Sequence, residues 1–432
     1  MSNPPRETVF RSAGLHAVFS DAGGEGRPLV VTFDSLNHDL SLERAGFGED
    51  WLRASGFDAV HVLAARNDWY QDADMAGLFA AVRARGAGRP RVVTYGSSMG
   101  GYGAVRFAGR LGASTAVAIS PQLSVDPARA PFDSRWVQHG RRLRFLWEEP
   151  APEDAGLREA WVFYDPHDLD RRHMEALGAL YPVRPLPVRH GGHPAGGLLA
   201  EGGLLASSVV AMIEGRFTPE GWASAVRRAR RRSGQYFFTL AQRQPERRLP
   251  TAVRLAEAAV ALSPSAPYLS LHGRLLEQAG DAAGGEALQR RAVALEPAAA
   301  RFRVELAALL ARAGREGEAA DLVEPLLRLE VAEASLYARA CALLVRAGRH
   351  REALALARAG RARLPHAAPL AAWAQRLAFG LAVPGAGALW LAALRARARV
   401  GRPRAVARAL RIWRQAMRAS TWRAKSSRTR PV

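Results

Sequence analysis

The chain has 432 residues, of which 48% are hydrophobic and 23% are charged. These ordinary globular values exclude a disordered or collagen-like chain and predict two or three domains. A single cysteine excludes a disulfide scaffold and a multi-cysteine zinc site, and the first ten residues do not resemble a secretory signal, so we expect a cytoplasmic protein.

The net charge of +21 is unevenly distributed along the chain. Residues 1–216 carry 23 basic and 25 acidic side chains, a net charge of −2. Residues 217–432 carry 38 basic and 15 acidic side chains, a net charge of +23. Acidic partners or anionic surfaces are therefore expected only for the second half of the chain.

Short apolar runs alternate with helical patterns through residues 9–213. The predicted strands are residues 29–33, 59–65, 91–95, 115–120, 160–164 and 184–189. The predicted helices include residues 74–85, 99–111, 168–179 and 197–214. This alternation predicts an α/β domain over residues 1–216, with a mostly parallel sheet and helices on both faces. In such a domain, functional residues gather beyond the carboxyl ends of the strands.

The strand at residues 91–95 is followed by the motif Gly96-Ser97-Ser98-Met99-Gly100. Glycines on both sides of Ser98 permit a sharp turn from strand to helix and a close approach of neighbouring backbone. The turn would place Ser98 at the N-terminus of a helix, whose dipole favours developing negative charge. The motif in this context predicts a nucleophilic serine.

This motif resembles the nucleophile turn of the α/β-hydrolase superfamily, and more narrowly that of bacterial serine esterases. The resemblance covers residues 9–214 and implies a catalytic triad in the chain order Ser98, acid, histidine. It also implies His193, in the string Gly191-Gly192-His193-Pro194 after the last strand, as the general base. A weaker resemblance is to hydrolase-like proteins linked to surface-glycan modification.

The acid has to be chosen among neighbouring aspartates after the strand at residues 160–164. The resemblance favours Asp168, a few residues past the strand end, with Asp165 as the alternative acid. Asp170 is expected to be a first-turn helix residue. The other histidines of this region, His167, His173 and His190, are expected at surface, helix or strand-end positions.

The triad chemistry requires donors for the oxyanion of the tetrahedral intermediate. The resemblance implies the backbone amide of Met99 as one donor and an amide after residues 29–33, at Asp34 or Ser35, as the other. The usual His-Gly-Gly stretch of lipase-type enzymes is absent there, which leaves this second donor open.

Polar and aromatic residues after two strands are candidates for substrate binding. Asn37 follows the strand at residues 29–33, and Trp69 and Tyr70 follow the strand at residues 59–65. Such residues suit a carbohydrate, although the rings are equally suited to packing in the core. An insertion at residues 121–157, with a basic and aromatic string at residues 141–147, is expected to form a lid.

Helical repeats are predicted over residues 217–376. Gly280, Gly314 and Gly348 recur at intervals of 34 residues, and a small residue stands seven positions before each of them, at Gly273, Ala307 and Cys341. A further small residue is expected in each unit at Ala287, Ala319 and Ala353, with a two-residue insertion in the first. This period resembles the tetratricopeptide repeat, which implies an all-α solenoid that binds a partner protein.

The C-terminal part is expected to contain helices over residues 377–419 and a disordered tail over residues 420–432. Residues 377–394 carry no charge but are interrupted by Pro384-Gly385, which favours two packed helices over a membrane span. Residues 403–418 form a basic amphipathic pattern that either caps the solenoid or lies on an anionic membrane surface. Nucleic acid ranks below both, since no recognition motif accompanies the charge.

The sequence therefore predicts a serine-dependent hydrolase of the carboxylesterase or deacetylase type, fused to a partner-binding helical module. An O-acyltransferase that acts on glycans through the same triad and a non-catalytic scaffold are the alternatives. No metal-ligand spacing or cofactor motif is evident, so no cofactor is expected. Besides the cytoplasm, the inner face of the membrane is the alternative location.

Overall fold

The computed structural model describes residues 6–24, 26–37, 39–327, 333–364, 367–382 and 386–400. The chain divides into two compact units, one of residues 1–244 with 261–263, and one of residues 245–260 with 264–432. The expected boundary after residue 216 therefore lies inside the first unit.

The first unit is built on one eight-stranded sheet with the spatial order β1-β2-β4-β3-β5-β6-β7-β8. Strands β1 and β2, and β2 and β4, pair antiparallel, and all other neighbours pair parallel. The strands are β1 (Arg6–Arg11), β2 (Leu15–Ser20), β3 (Leu29–Phe33), β4 (Ala59–Ala64), β5 (Val92–Ser97), β6 (Thr115–Ile119), β7 (Glu159–Tyr164) and β8 (Val183–Pro187).

Helices cover both faces of this sheet, as predicted. The helices of this unit are α1 (Glu49–Ala54), α2 (Met75–Gly86), α3 (Met99–Arg106), α4 (Val137–Gly140), α5 (Asp170–Gly178), α6 (Gly196–Glu201), α7 (Leu205–Ile213), α8 (Trp222–Ala229) and α9 (Gly234–Gln242). Residues of β3 alternate between the faces, with Val31 and Phe33 in a core shared with α2 and α3, and Val30 in a core shared with α6, α7 and α8.

The insertion at residues 121–157 joins β6 to β7 and contains only α4 and one short 3₁₀ segment, Pro152–Gly156. It is anchored to the domain by Glu148, which accepts a charged hydrogen bond of 2.9 Å from Arg106 with both side chains buried. The indole of Trp147 donates to the carbonyl of Asp72 at 2.8 Å. The arginines Arg141, Arg142 and Arg144 are exposed and lie outside any helix body.

The second unit is helical. Its helices are α10 (Leu249–Leu262), whose last two residues group with the first unit, α11 (Ala266–Gln278), α12 (Ala282–Leu295), α13 (Ala300–Arg312), α14 (Glu316–Val323), α15 (Ala334–Arg346), α16 (His350–Arg363), α17 (Ala368–Ala382) and α18 (Ala386–Val400). After α11, α13 and α15 the backbone turns through Gly280, Gly314 and Gly348, each with positive φ. The 34-residue period therefore corresponds to helix pairs joined at a left-handed glycine.

The small residues of the first helix pair differ from the prediction. Gly285, not Ala287, faces Gly273, because a Cβ on Gly273 would lie 2.7 Å from the carbonyl oxygen of Gly285, and Ala287 is exposed. Gly285 precedes Ala319 by 34 residues, and Ala319 precedes Ala353 by the same interval. The repeat thus keeps its register without the two-residue insertion that the sequence suggested.

Two helices, α17 and α18, occupy the uncharged stretch at residues 377–394, as expected. Among the described residues, no helix combines the length and apolar character needed to cross a membrane. The predicted basic helix at residues 403–418 and the tail at residues 420–432 lie outside the described residues.

Candidate active site

Ser98 lies in a strained turn between β5 and α3. Its φ of 53° is in the left-handed region that L residues rarely adopt, and such strain concentrates at functional sites. The turn is tight, since a Cβ on Gly100 would lie 2.2 Å from the carbonyl oxygen of Phe33 on β3. A Cβ on Gly96 would lie 2.2 Å from the carbonyl oxygen of Gly100. Both glycines of the motif are therefore required by close backbone approach.

The hydroxyl of Ser98 is hydrogen-bonded to the imidazole of His193, which lies 95 residues further along the chain. Ser98 Oγ donates to Nε2 of His193 at 2.9 Å, and the Nδ1–H of His193 donates to the carboxylate of Asp170 at 2.9 Å. His193 follows β8, and Asp170 is the first residue of α5 after β7. The three side chains thus come from the carboxyl ends of three parallel strands, where the fold gathers functional groups.

Asp170 is almost completely buried, at 1% exposure. Burial alone would raise the pKa of this carboxyl, but the hydrogen bond from His193 and the charge of Arg135 outweigh it and the pKa is lowered. Asp170 is therefore an anion that can hold His193 in the Nδ1–H tautomer and stabilise the imidazolium.

The expected acids, Asp168 and the alternative Asp165, do not contact His193 and must be corrected to Asp170. Asp168 accepts hydrogen bonds from Arg135 at 3.0 Å and Arg243 at 3.4 Å, which draw its carboxylate away from the imidazole. Asp165 is fully buried and accepts backbone N–H groups of His190 and Gly192, together with Arg243 at 2.9 Å. Asp165 braces the loop that carries His193.

The remaining histidines take structural positions. His173 is completely buried: its Nδ1 accepts from the backbone N–H of Leu123 at 3.1 Å, and its Nε2–H donates to Asp133 at 2.9 Å. It lies within α5, the helix position that was expected, but it is buried and not at the surface. His167 and His190 stack on each other with their ring centroids 4.6 Å apart.

The three expected oxyanion residues are Met99, at the start of α3, and Asp34 and Ser35, which follow β3. Met99 is the first residue of α3, so its N–H has no partner within the helix and is free to face a ligand. Asp34 directly follows β3 but its side chain is buried and paired with Arg44 at 2.5 Å. Burial raises the pKa of Asp34 to about 6 despite this pairing. Among the described residues, no contact assigns the backbone amide of Ser35 a role in the site.

Gln122, in the insertion, contacts Ser98 and was not identified from the sequence. Its Nε2 donates to Ser98 Oγ at 3.2 Å, and its Oε1 accepts from the indole N–H of Trp69 at 3.1 Å. The contact with Trp69 fixes which end of the amide faces Ser98. No sequence motif marks this glutamine, because the contact depends on the path of the insertion.

The aromatic candidates for substrate binding are fully buried. Trp69 has no exposed surface, and the hydroxyl of Tyr70, also buried, donates to the carbonyl of Asp34 at 2.7 Å. Asn37 exchanges hydrogen bonds through its backbone with the side chain of Asn67, at 3.0 and 2.8 Å. The rings therefore pack in the core, which is the alternative that the sequence left open.

A second aromatic group, from the insertion, lies beside the imidazole of His193. The ring of Trp136 is 5.8 Å from that of His193 and 5.4 Å from that of Trp69. His139 lies 5.5 Å from Trp69, and burial lowers its pKa. The insertion thus forms one wall of the site.

Comparison with protein-family models finds no matching family, and comparison with curated proteins finds no matching relative. Among the described residues, no group of three or more His, Cys, Asp and Glu side chains is arranged to hold a metal ion. Any functional conclusion therefore depends on the geometry of the site itself.

Proposed function

We propose that the chain is a serine hydrolase of the α/β-hydrolase superfamily, acting on carboxylic esters or acetyl groups through an acyl-enzyme. The observation that supports this most strongly is the continuous hydrogen-bonded chain from Ser98 through His193 to Asp170, with both contacts at 2.9 Å. The order of the three residues along the chain is that of the superfamily.

In the proposed reaction, Ser98 Oγ attacks the carbonyl carbon of the substrate while Nε2 of His193 takes the hydroxyl proton. The imidazolium is stabilised by the anionic Asp170 and then returns the proton to the leaving alcohol. In the second half of the cycle, His193 deprotonates a water molecule that attacks the acyl carbon. The bond between this carbon and Ser98 Oγ then breaks, the acid leaves, and the imidazolium returns the proton to Ser98. Transfer to a glycan hydroxyl would differ only in the acceptor.

Two groups support the proposed attack, one through the developing negative charge and the other through the orientation of the serine hydroxyl. The amide of Met99 is oriented by the first turn of α3, whose dipole also favours an anion near Ser98. Gln122 donates to the same hydroxyl oxygen that contacts His193, which restrains the orientation of the attacking oxygen before substrate binds.

For the second unit, we propose a tetratricopeptide-like solenoid that binds a partner protein. The support is the recurrence of helix pairs with a left-handed glycine every 34 residues and buried small residues between the paired helices. In such arrays each repeat contacts its neighbours and the stacked helices form an extended surface.

The test of the hydrolase proposal is covalent labelling of the full chain by a fluorophosphonate, alongside hydrolysis of p-nitrophenyl acetate. Ser98→Ala is compared with Ser97→Ala, which removes the neighbouring hydroxyl from the same motif. We expect labelling and turnover in wild type and Ser97→Ala, and neither in Ser98→Ala. Equal labelling of wild type and Ser98→Ala would contradict the assignment of the nucleophile.

A further inference from the structure

Arg135, in the insertion between β6 and β7, contacts three carboxylates at once. Its guanidinium donates to Asp133 at 2.8 Å, to Asp168 at 3.0 Å and to Asp170 at 3.0 Å. Its side chain is about one quarter exposed, whereas those of Asp133 and Asp170 are almost completely buried. The arginine is therefore held by fixed partners.

The carboxylate of Asp170 is shared between the catalytic imidazole and this arginine. Its Oδ1 accepts both from Nδ1 of His193 at 2.9 Å and from Arg135 at 3.0 Å, and the hydroxyl of Ser120 supplies a further hydrogen bond. A triad acid needs only the histidine contact to orient the imidazole. The additional cation therefore changes the electrostatics of the pair as well as its geometry.

We propose that Arg135 is a positioning residue that fixes Asp170 against His193 and lowers the proton affinity of His193. The proposal rests on the hydrolase function proposed above only for its catalytic consequence, because the electrostatic effect on His193 can be measured without turnover.

The sign of the effect follows from the charges. Asp170 stabilises the imidazolium of His193, and the positive charge of Arg135 beside the same carboxylate offsets part of that stabilisation. Removal of the charge would raise the pKa of His193 by about one pH unit.

Other titratable groups surround the pair from every adjoining element. From the insertion, the loop after β7, α5, the loop after β8 and the end of α9, these are Asp133, His139, Asp165, Asp168, His173, His190 and Arg243. The described ion pairs of Asp170 are with His193 and Arg135, and not with the groups in this list. Arg171 adjoins Asp170 in the chain and lines the same cavity of about 520 Å³ as Arg135, but it is exposed and pairs with Glu175 at 3.6 Å.

The experiment is an NMR titration of histidine-labelled full-length protein, with the His193 signal identified by its loss in His193→Gln. Arg135→Gln and Arg135→Met remove the charge, Arg135→Lys keeps it, and Arg171→Gln removes an equal charge that does not contact Asp170. We expect the pKa of His193 to rise by about one unit in the two neutral variants and by about a third of that or less in Arg171→Gln. Arg135→Lys should give a value close to wild type.

A rise no larger in Arg135→Gln and Arg135→Met than in Arg171→Gln would overturn the proposal. Unfolding of both neutral variants, with Arg135→Lys folded, would assign Arg135 a purely structural role and overturn it as well. Fluorophosphonate labelling of the same proteins tests the catalytic consequence: the acid limb of the labelling rate should move to higher pH by the same amount. Failure of wild type to label would count against the hydrolase proposal alone, since the titration reports on Arg135 independently.

Discussion

The hydroxyl of Ser98 is held between two side chains that are distant in sequence from each other. Nε2 of His193 accepts a hydrogen bond from Ser98 Oγ, and Gln122 donates a hydrogen bond to Ser98 Oγ. The indole of Trp69 orients the side-chain amide of Gln122, so Trp69 influences the orientation of the Ser98 hydroxyl indirectly. The orientation of the Ser98 hydroxyl thus depends on contacts from three regions, the loop after β4, the insertion and the loop after β8.

Replacement of Gln122 by Ala should slow fluorophosphonate labelling of Ser98 about tenfold. The hydroxyl loses one of its two partners and samples orientations that do not point at the substrate carbon, a smaller loss than the 10²–10³-fold typical of an oxyanion donor. Gln138→Ala, at an exposed position of the same insertion, is the matched control and should label at the wild-type rate. An unchanged rate in Gln122→Ala would remove Gln122 from the site.

We predict that Asp133 makes a pH-dependent contribution to the free energy of unfolding. Burial would raise the pKa of its carboxyl, but hydrogen bonds from His173 and Arg135 outweigh it and hold the pKa well below the usual range. A carboxylate with a lowered pKa stabilises the fold above the pKa of the unfolded chain, and the stabilisation is lost as the pH falls below about 4.

Asp133→Asn should therefore lower the free energy of unfolding at pH 7, and the difference from wild type should shrink below pH 4. Urea unfolding followed by tryptophan fluorescence at pH 7 and pH 3.5 measures both. Asp50→Asn is the control, because Asp50 is 90% exposed and its ion pair with Arg53 is 3.5 Å long. A difference that stays constant with pH would mean that Asp133 stabilises the fold through packing alone.

At the residue scale, the sequence singled out Ser98 and His193, which the structure brings into contact, but it favoured Asp168 where the structure places Asp170 against the imidazole. Asp165, Asp168 and Asp170 lie within six residues after β7, and each is a plausible partner for an imidazole by chain position. Arg135 donates to both Asp168 and Asp170, and Arg243, 75 residues from Asp168, pairs with Asp168 as well, whereas the imidazole of His193 contacts Asp170. Side-chain pairing at such separations has no signature in a single sequence.

At the element scale, strand prediction succeeded for β3 to β8 to within about two residues and missed β1 and β2. β1 is partly exposed, with Arg6, Glu7 and Arg11 along it, and lacks an apolar run. β2 is fully buried, but His16 and Ser20 interrupt its apolar pattern. Those two residues find partners in the carbonyl of Leu42 and the imidazole of His61, contacts that become apparent only in the folded chain.

The helix pairs of the second unit predict a contrast between two glycines. Gly273→Ala should destabilise the protein by about 1–3 kcal/mol, because the new Cβ would lie 2.7 Å from the backbone oxygen of Gly285 and the helices must separate. Gly317→Ala, in α14 with open space around it, should be neutral or stabilising by up to about 0.5 kcal/mol. Thermal unfolding by circular dichroism checks both, and equal effects would show that α11 and α12 do not cross closely.

At the scale of the whole molecule, the charge and the architecture divide the chain differently. The near-neutral first half ends at residue 216, whereas the compact α/β unit extends to residue 244 and includes Arg227 and Arg228 of α8 and the following run Arg230–Arg232. Arg243, from this extension, pairs with Asp165 and Asp168, and Asp165 in turn accepts the backbone N–H of Gly192 beside His193. Composition alone assigned the basic charge of the second half to partner binding. One of these basic residues, Arg243, instead supports the candidate active site.

The triad of Ser98, His193 and Asp170 is the central claim. Its most direct test is the rate at which a fluorophosphonate modifies Ser98 in the full chain, with the adduct located by peptide mass spectrometry, in wild type, Asp170→Asn and Asp168→Asn. We predict a fall of at least 10²-fold in Asp170→Asn, because the asparagine cannot hold the Nδ1–H tautomer or stabilise the imidazolium, and a fall of less than about fivefold in Asp168→Asn. The reverse order of the two variants, or an adduct at a residue other than Ser98, would contradict the account.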